Sequence, residues 1–498
     1  MVERSTIIVI GAGLAGLSTG CYAQMNGYST RIFEQHTRAG GVCTAWKRKG
    51  YTIDGCIHWL MGCRPGPGFY QLYREVGALD GNQLIPLDHF ARFVDEASGQ
   101  SLEITADLDR LAVDMRALAP KDGHVIDELL EGVQTFQEFS LGPGKPMELM
   151  GHLDGLKQMW HMRRWLKRFA RYNMPVASFA ERIQSPFLRW VVANVFLPEM
   201  PTSFAFIVLA QLAAGELAIV KGGSLEFALA IARRYHELGG QVTYDAPVKE
   251  ILVQDGRAVG VRLADGSTHH ADIVVSAADG YSTIFKMLGG RYVDAKIRER
   301  YERWPLFRPL LIVSFGVAHT FPDLPSENLL RLQRPLDVAG RQVEGLIYRV
   351  FNRDSTLAPE GKTVVQAMLE TDFDYWNDLQ NDRPSYEAAK KRVAAQILDR
   401  LKTHLPGISA QVEMTDVATP YTFWRYTRNH RGAYEGWLMT PEHTGKALPK
   451  TLPGLKNFYM AGQWVEPGGG IPPALNSGRQ VVQILCHRDG MPFSASVP

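Results

Sequence analysis

The stretch that most constrains this chain is Ile7–Glu34, IIVIGAGLAGLSTGCYAQMNGYSTRIFE. It reads as strand, tight turn, helix and second strand. Ile7–Ile10 is a short apolar run, as expected of a strand buried on both faces. Gly11-Ala12-Gly13-Leu14-Ala15-Gly16 then fits G-x-G-x-x-G. Gly11 permits the sharp turn, Gly13 lets the backbone approach a diphosphate, and Gly16 lets the helix lie close to the strand. The helix start, at Gly13, Leu14 and Ala15, aims free N–H groups at that diphosphate. Thr30–Phe33 is the second strand. Glu34 at its end is placed to accept the hydroxyls of an adenosine ribose, with Gln35 beside it. A lone G-x-G-x-x-G is weak evidence, and the bland reading is a glycine-rich turn with no ligand. The flanking strand and helix, and an acid about 20 residues on, are the context that a dinucleotide site requires.

Composition narrows the class. At 498 residues the chain is long enough for two or more domains. A net charge of +2 gives no case for nucleic acid. The five cysteines, Cys21, Cys43, Cys56, Cys63 and Cys486, form no C-x-x-C pair, which argues against a disulfide framework or a structural zinc site. No metal motif of the H-E-x-x-H or EF-hand kind is present. No signal peptide and no apolar run of about 18 residues is found, so the expectation is a cytoplasmic protein without a transmembrane helix.

After Glu34 comes Arg38-Ala39-Gly40-Gly41-Val42-Cys43-Thr44, and then Gly50-Tyr51-Thr52-Ile53-Asp54-Gly55-Cys56-Ile57-His58-Trp59. G-x-G-x-x-G, Glu, R-x-G-G-x-x-T resembles the N-terminal signature of FAD-dependent amine oxidases and carotenoid desaturases. Most amine oxidases carry an arginine after the glycine pair. Val42 in that place suits the carotenoid desaturase and retinol saturase side, as does the Asp-Gly-x-x-His run. The resemblance implies bound FAD, with Gly41, Val42, Ile57 and His58 running beside the flavin. A second matching block is Lys221-Gly222-Gly223, a helix over Leu225–Leu238, Gly239-Gly240, and a meander of short strands turning at Asp255-Gly256 and Asp265-Gly266. By resemblance, Val248 contacts the adenine end through its backbone. The third block is Asn457–Arg479, NFYMAGQWVEPGGGIPPALNSGR, which is similar to the C-terminal flavin motif of phytoene desaturases. There Gly462 makes a turn, and Gly470, Ile471 and Pro472 open a helix whose N-terminus faces the flavin N1–C2=O edge.

The expected fold is therefore α/β: a discontinuous Rossmann-like FAD-binding domain (1–90, 216–288, 452–490) with an α+β substrate or cap domain (91–215, 289–451). No second G-x-G-x-x-G follows a strand, so one FAD is expected without an NADPH domain. The implied activity is oxidoreduction of a lipophilic isoprenoid or polyene: desaturation, saturation or isomerisation of carbon–carbon double bonds. The electron acceptor would be oxygen, a quinone or another soluble molecule. Rival readings are a flavin amine oxidase releasing peroxide, a redox-silent isomerase that needs reduced FAD but gives no net oxidation, and a flavin- or lipid-binding module without turnover.

Catalytic candidates are His58, Glu466, Trp464 and Tyr434. His58 reads either as a proton-moving imidazole or as a hydrogen-bonded structural residue, and Glu466 as a base or a plain loop carboxylate. Tyr434, and Tyr426 with it, rests on resemblance alone. Cys43 and Cys56 read as buried thiols rather than a disulfide. One block of the cap stands apart. Gly151–Met174 carries Lys157, Arg163, Arg164, Lys167, Arg168 and Arg171, interleaved with Met159, Trp160, Met162, Trp165, Leu166 and Phe169. Met162, Trp165, Leu166 and Phe169 make a helical stripe. It reads either as a cap helix with a solvated basic face or as a helix lying on the inner face of a membrane.

Overall fold

The computed structural model describes residues 5–66, 68–139, 142–446 and 448–498, with the side chains at 152, 156–159 and 161 outside that description. Two principal sheets organise the described residues. The first is parallel throughout, in the order Phe458–Met460, Ile273–Ser276, Thr6–Ile10, Ser29–Phe33, Gln241–Thr243. Its strands come from three distant parts of the chain, as the three matching blocks require. The apolar run at its centre is buried on both faces. Ile7 and Val9 pack under the helices Leu14–Met25, Ser224–Glu237 and Ile471–Arg488. Ile8 and Ile10 pack on the antiparallel meander Val248–Gln254, Arg257–Leu263, Thr268–His270.

Close backbone approach joins the two ends of the sequence. A Cβ on Gly16 would stand 1.9 Å from Gly11 O, so the opening helix lies directly on its own turn. A Cβ on Gly478 would stand 2.7 Å from both Ala15 O and Thr19 N, which seats the last helix against the first. Ser18 Oγ donates to Leu475 O at 2.6 Å across that contact.

The second sheet runs Val412–Ala418, Leu310–Val317, Thr363–Glu370, Arg341–Val350, Glu327–Val338, His89–Asp95, Ser101–Thr105. All neighbours are antiparallel except Glu327–Val338 with His89–Asp95. Strand alternation gives the sheet two jobs. Leu311 and Val313 face the helix Arg383–Leu401, which covers one side. Leu310, Ile312, Ile347 and Met368 face a cavity on the other. The strand His89–Asp95 straddles the expected boundary at residue 90 and belongs to this sheet. A helical layer completes the cap, with a core shared by Gly123–Phe136, His152–Arg171, Pro186–Asn194 and Thr202–Ala213.

The basic helix spans His152–Arg171, and its first turn is closed by Gly151 N–H donating to Asp154 Oδ2 at 3.0 Å. The expected four-residue stripe splits. Trp165 is 4% exposed, stacks on Phe136 and meets Phe139 edge-on, and Met162 and Phe169 pack with it. Leu166 is 49% exposed. The buried arc is centred between Trp165 and Phe169, which leaves Leu166 at its rim. Lys157 and Met159, counted in the same block, lie outside the described side chains.

Two glycine substitutions test this packing. Gly16→Ala should cost about 1–3 kcal/mol and lower the melting temperature, because the helix must part from Gly11. Gly155→Ala has open space around it on an exposed helical turn and should be neutral or gain up to about 1 kcal/mol. Thermal and urea unfolding of the two variants check the contrast.

Candidate active site

The carboxyl ends of the strands Thr6–Ile10, Ser29–Phe33, Ile273–Ser276 and Phe458–Met460 open onto one cavity of ≈ 1420 Å³. This is where open parallel sheets bind ligands. The volume exceeds the roughly 300–1,000 Å³ of a site for one small molecule. Among the expected cofactor contacts, all but Gly16 line it. Gly16 lies behind the wall and sets the spacing between helix and strand.

The nucleotide end is built from backbone. Gly11 has φ +95°. Gly40 N–H donates to Ala12 O at 2.9 Å, and a Cβ on Gly41 would stand 3.2 Å from Gly13 Cα. Glu34 is 7% exposed. Its Oε2 accepts from Ala12 N–H at 2.6 Å and its Oε1 from His36 N–H at 2.8 Å. Burial raises its pKa, and those backbone donors oppose the rise. Gln35 reaches across to Tyr426, donating from Nε2 to the carbonyl oxygen at 2.6 Å.

Two helix N-termini open into the same space. The helices Leu14–Met25 and Ile471–Arg488 both start at a glycine, Gly13 and Gly470, and neither has a side-chain cap. Their free N–H groups and positive dipole ends face the cavity. Gly468, Gly469 and Gly470 all have positive φ, which turns the chain sharply into the second of these helices. Gly462 N–H donates to Ser477 Oγ at 2.7 Å and holds the preceding turn on the helix. Trp464 Nε1–H is buried without an acceptor among the described residues. A glycine cradle, a buried acid and two uncapped helix ends suit a long anionic dinucleotide whose far ring carries hydrogen-bond acceptors. The residues present fit FAD.

Beyond the Gly468–Gly470 turn the cavity becomes an apolar arm. Trp59, Phe90, Phe93, Phe196, Phe204 and Tyr434 line it from the cap. Aromatic contacts fix these rings: Trp59 lies 6.2 Å from Phe90 and 6.1 Å from Phe196, and Tyr434 lies 5.3 Å from Phe307.

The four catalytic candidates separate. His58 lines the cavity, and burial with Arg349 nearby holds its pKa well below the usual imidazole range, so the ring is neutral. No hydrogen bond to that ring is found among the described residues, unlike the bonded structural histidine of the bland reading. Tyr434 lines the arm, and burial with Glu435 and Glu370 nearby raises its phenol well above the usual range. Trp464 lines the cavity and packs into a cluster with Tyr301 and Trp437. Glu466 is turned away from the cavity into an ion pair with Lys450 at 3.0 Å. Tyr426 sits beside His36 at the nucleotide end, ring centroids 5.0 Å apart, and away from Tyr434. Cys43 and Cys56 are free thiols on the wall.

Sequence reasoning passed over several polar groups of the wall. Asp279 accepts from Ser282 N–H at 2.7 Å and His430 N–H at 2.8 Å, and burial lifts its pKa to about 6. Glu327 pairs with Arg349, and burial lifts it to about 7 despite that cation. Arg308 holds Glu370 at 2.7 Å and also bonds Glu199. Glu435 lines the cavity, and burial alone lifts it to about 7. Only Glu435 carried a local signal, an acid inside an aromatic and glycine loop.

Comparison with known proteins places this architecture. The profile of the "Flavin containing amine oxidoreductase" family matches residues 14–486. A chloroplastic prolycopene isomerase of Arabidopsis thaliana is 24% identical, aligned over 95% of this chain and 81% of that protein. A lycopene-forming phytoene desaturase of a Paracoccus species is 24% identical over 96% of this chain and 97% of its own. Among solved structures, an oxidoreductase from Methanosarcina mazei superposes with a TM-score of 0.58 at 18% identity, covering 96% of this chain and 100% of the other. Cyclohexylamine oxidase from Brevibacterium oxydans does so with a TM-score of 0.59 at 16% identity, covering 97% and 100%. With the glycine cradle and uncapped helix ends already in place, the match along nearly the whole sequence leads to one conclusion: this chain belongs to the flavin containing amine oxidoreductase family and is an FAD-dependent oxidoreductase.

Proposed function

We propose that this flavoenzyme acts on the carbon–carbon double bonds of a lipophilic polyene of the isoprenoid class, by desaturation, saturation or isomerisation. The observation that carries the reading is the aromatic arm of Trp59, Phe90, Phe93, Phe196 and Phe204, continuous with the FAD cradle. Such a wall favours an extended apolar chain over a small hydrated amine. The names of the relatives point the same way: prolycopene isomerase and phytoene desaturase both name polyene chemistry. Val42, in the place of the usual amine-oxidase arginine, agrees with them.

In this reading Glu34 holds the adenosine ribose, Gly13, Leu14 and Ala15 the diphosphate, Val248 the adenine end, and Gly470, Ile471 and Pro472 the flavin pyrimidine edge. The bound flavin supplies hydride acceptance or donation. The cap side chains exclude water and align the substrate, and neutral His58 and Tyr434 shape the polar end of the arm. Electrons pass onward to oxygen, a quinone or another small acceptor.

The basic helix His152–Arg171 supports delivery from a lipid surface. Trp160 is 63% exposed and Leu166 49% exposed, and Arg163 stacks over Trp160 at 3.6 Å. Arg163, Arg164, Lys167 and Arg168 surround them, and among the described residues the acid paired with this group is Glu138, 3.9 Å from Arg164. Exposed aromatic and apolar groups ringed by cations match the inner, anionic face of a membrane. Among the described residues no helix is long and apolar enough to cross one.

Three measurements check these statements. Anaerobic holoprotein mixed with a panel of isoprenoid polyenes should lose its visible flavin absorbance with at least one, or convert a cis polyene without net reduction. Bleaching by amines alone, with peroxide released in air, would overturn the substrate class. Glu34→Ala should lower the flavin-to-protein ratio several-fold and destabilise the apoprotein by about 1–3 kcal/mol, because two buried N–H groups lose their acceptor; a fully yellow variant of unchanged stability would contradict its role. Replacing Arg163, Arg164, Lys167 and Arg168 together by Gln should weaken binding to anionic vesicles at about 1 kcal/mol per charge, with little change for neutral vesicles. Unchanged co-sedimentation would leave a solvated cap helix.

A further inference from the structure

Removing two hydrogens from neighbouring carbons needs an acceptor for a hydride and an acceptor for a proton. The flavin can take the first. The second must come from the wall, and a greasy cavity offers few candidates. Among the described residues five carboxyl groups line it: Glu34, Asp279, Glu327, Glu370 and Glu435. Four are committed to partners. Glu34 takes two backbone N–H groups, and so does Asp279. Glu327 pairs with Arg349, and Glu370 with Arg308. In these four the carboxyl oxygens are already engaged by a cation or by backbone amides, and that holds for Glu327 and Asp279 even though burial lifts them to about 7 and about 6. Glu435 has no cation and no hydrogen-bond donor on its carboxyl among the described residues.

Its position is fixed by the same glycines that form the flavin end of the site. A Cβ on Gly469 would stand 2.5 Å from Glu435 O and 2.6 Å from Glu435 Cβ. Gly468 N–H donates to Trp437 O at 3.0 Å, and Gly436 is packed against Gln463 O. The loop bearing Glu435 is therefore braced on the turn that leads into the helix Ile471–Arg488. Tyr434, beside it in sequence, lines the aromatic arm. Glu435 thus stands where the FAD cradle and the apolar arm meet.

We propose that Glu435 is the general acid–base that moves the proton in the carbon–carbon chemistry of this cavity. The assignment rests on the flavin and polyene reading given above. In the desaturating direction two C–H bonds break. One leaves as a hydride with its electron pair, reducing the oxidised flavin. The other releases its proton to a Glu435 carboxylate oxygen, and its electron pair becomes the new π bond. In the saturating direction the neutral Glu435 gives its proton to one carbon, the π electrons form that C–H bond, and the other carbon takes its hydride from a reduced flavin. Burial, with no neighbouring charge contributing, sets Glu435 at about 7, so both forms are present near neutral pH. Two other carboxyls of the cavity titrate nearby, Glu327 at about 7 and Asp279 at about 6, with their oxygens engaged by Arg349 and by backbone amides. Tyr434 stays a neutral phenol, Glu370 is tied to Arg308, and Glu466 is tied to Lys450. The sign follows: a desaturating rate rises as pH climbs through about 7, and a saturating rate falls.

The test uses the yellow holoprotein and reads the flavin itself. The visible spectrum of wild type, titrated from about pH 5 to 9, should show a transition near 7 from which Glu435→Gln removes one proton's contribution while flavin content stays unchanged, and any contribution of Glu327 or Asp279 should persist in that variant. With the polyene that bleaches wild type, Glu435→Gln should slow bleaching about 10²–10⁴-fold. Glu435→Asp should restore part of the rate and displace the transition. If Glu435→Gln does not fold, the displacement in Glu435→Asp carries the test. A protein that purifies colourless and takes up no FAD would overturn the flavin reading itself. A yellow protein that amines alone bleach would overturn the polyene reading. A yellow, polyene-bleached protein whose transition and rate ignore both substitutions would overturn Glu435 alone.

Discussion

The structure depends on a backbone-to-backbone contact at two glycines. Gly16 sits on Gly11 O, and Gly478 sits on Ala15 O and Thr19 N. Any side chain at either place would push the first and last helices off the parallel sheet. With hydrogen only, the two helices lie side by side, and both point their N-termini at the same cavity. Each N-terminus carries unsatisfied N–H groups and no side-chain cap. A pair of uncapped ends costs stability in an empty protein and is offset when an anionic cofactor bridges them. Residues at opposite ends of the chain thereby act as one binding surface.

The cap solves a different problem. It must present a dry, apolar wall next to a polar cradle without leaving polar backbone unpaired. An antiparallel sheet does this, because alternate residues face opposite ways. Leu311 and Val313 anchor the sheet on the helix Arg383–Leu401, while Leu310 and Ile312 are left to line the cavity. Two acids of this wall are paired with cations, Glu327 with Arg349 and Glu370 with Arg308. The buried Glu327–Arg349 pair contributes little net stability once desolvation is counted, but losing one partner would strand a charge in apolar surroundings; Arg308 and Glu370 are partly solvated.

Much of the nucleotide end could be read from the chain because backbone geometry writes itself into glycine. Gly11, Gly41, Gly462 and Gly470 have positive φ, a conformation that favours glycine, and with Gly13 they line the cavity. The meander Val248–Gln254 with Arg257–Leu263 was equally plain from its turn residues. The cap was harder to read. The strand Glu327–Val338 contains Arg331, Arg334, Pro335 and Asp337, which argue for a loop; pairing on both sides holds Asn328–Arg331, Asp337 pairs with Gln342, and Arg334 and Pro335 fall in the register shift between Arg331 and Leu336. The basic helix gave its extent within three residues at either end but not its buried face. Spacing alone placed Leu166 in the stripe, whereas the position of Phe136 and Phe139 decides which arc is covered.

Glu435 and Glu466 show why acid residues resist sequence reading. Both are glutamates in loops near the same helix N-terminus, and both are withdrawn from water. Glu466 meets Lys450, itself 5% exposed, at 3.0 Å, and the pair is a strut beneath the flavin turn. Glu435 meets no cation, and burial acts on it alone. The difference lies in what the fold brings alongside: a lysine from the segment before the last strand for one, and apolar cap for the other. A lysine beside a carboxylate stabilises the anion and ties it in place. Solitude beside a hydride acceptor leaves a carboxyl free to change its charge, which a proton carrier in an apolar cavity requires.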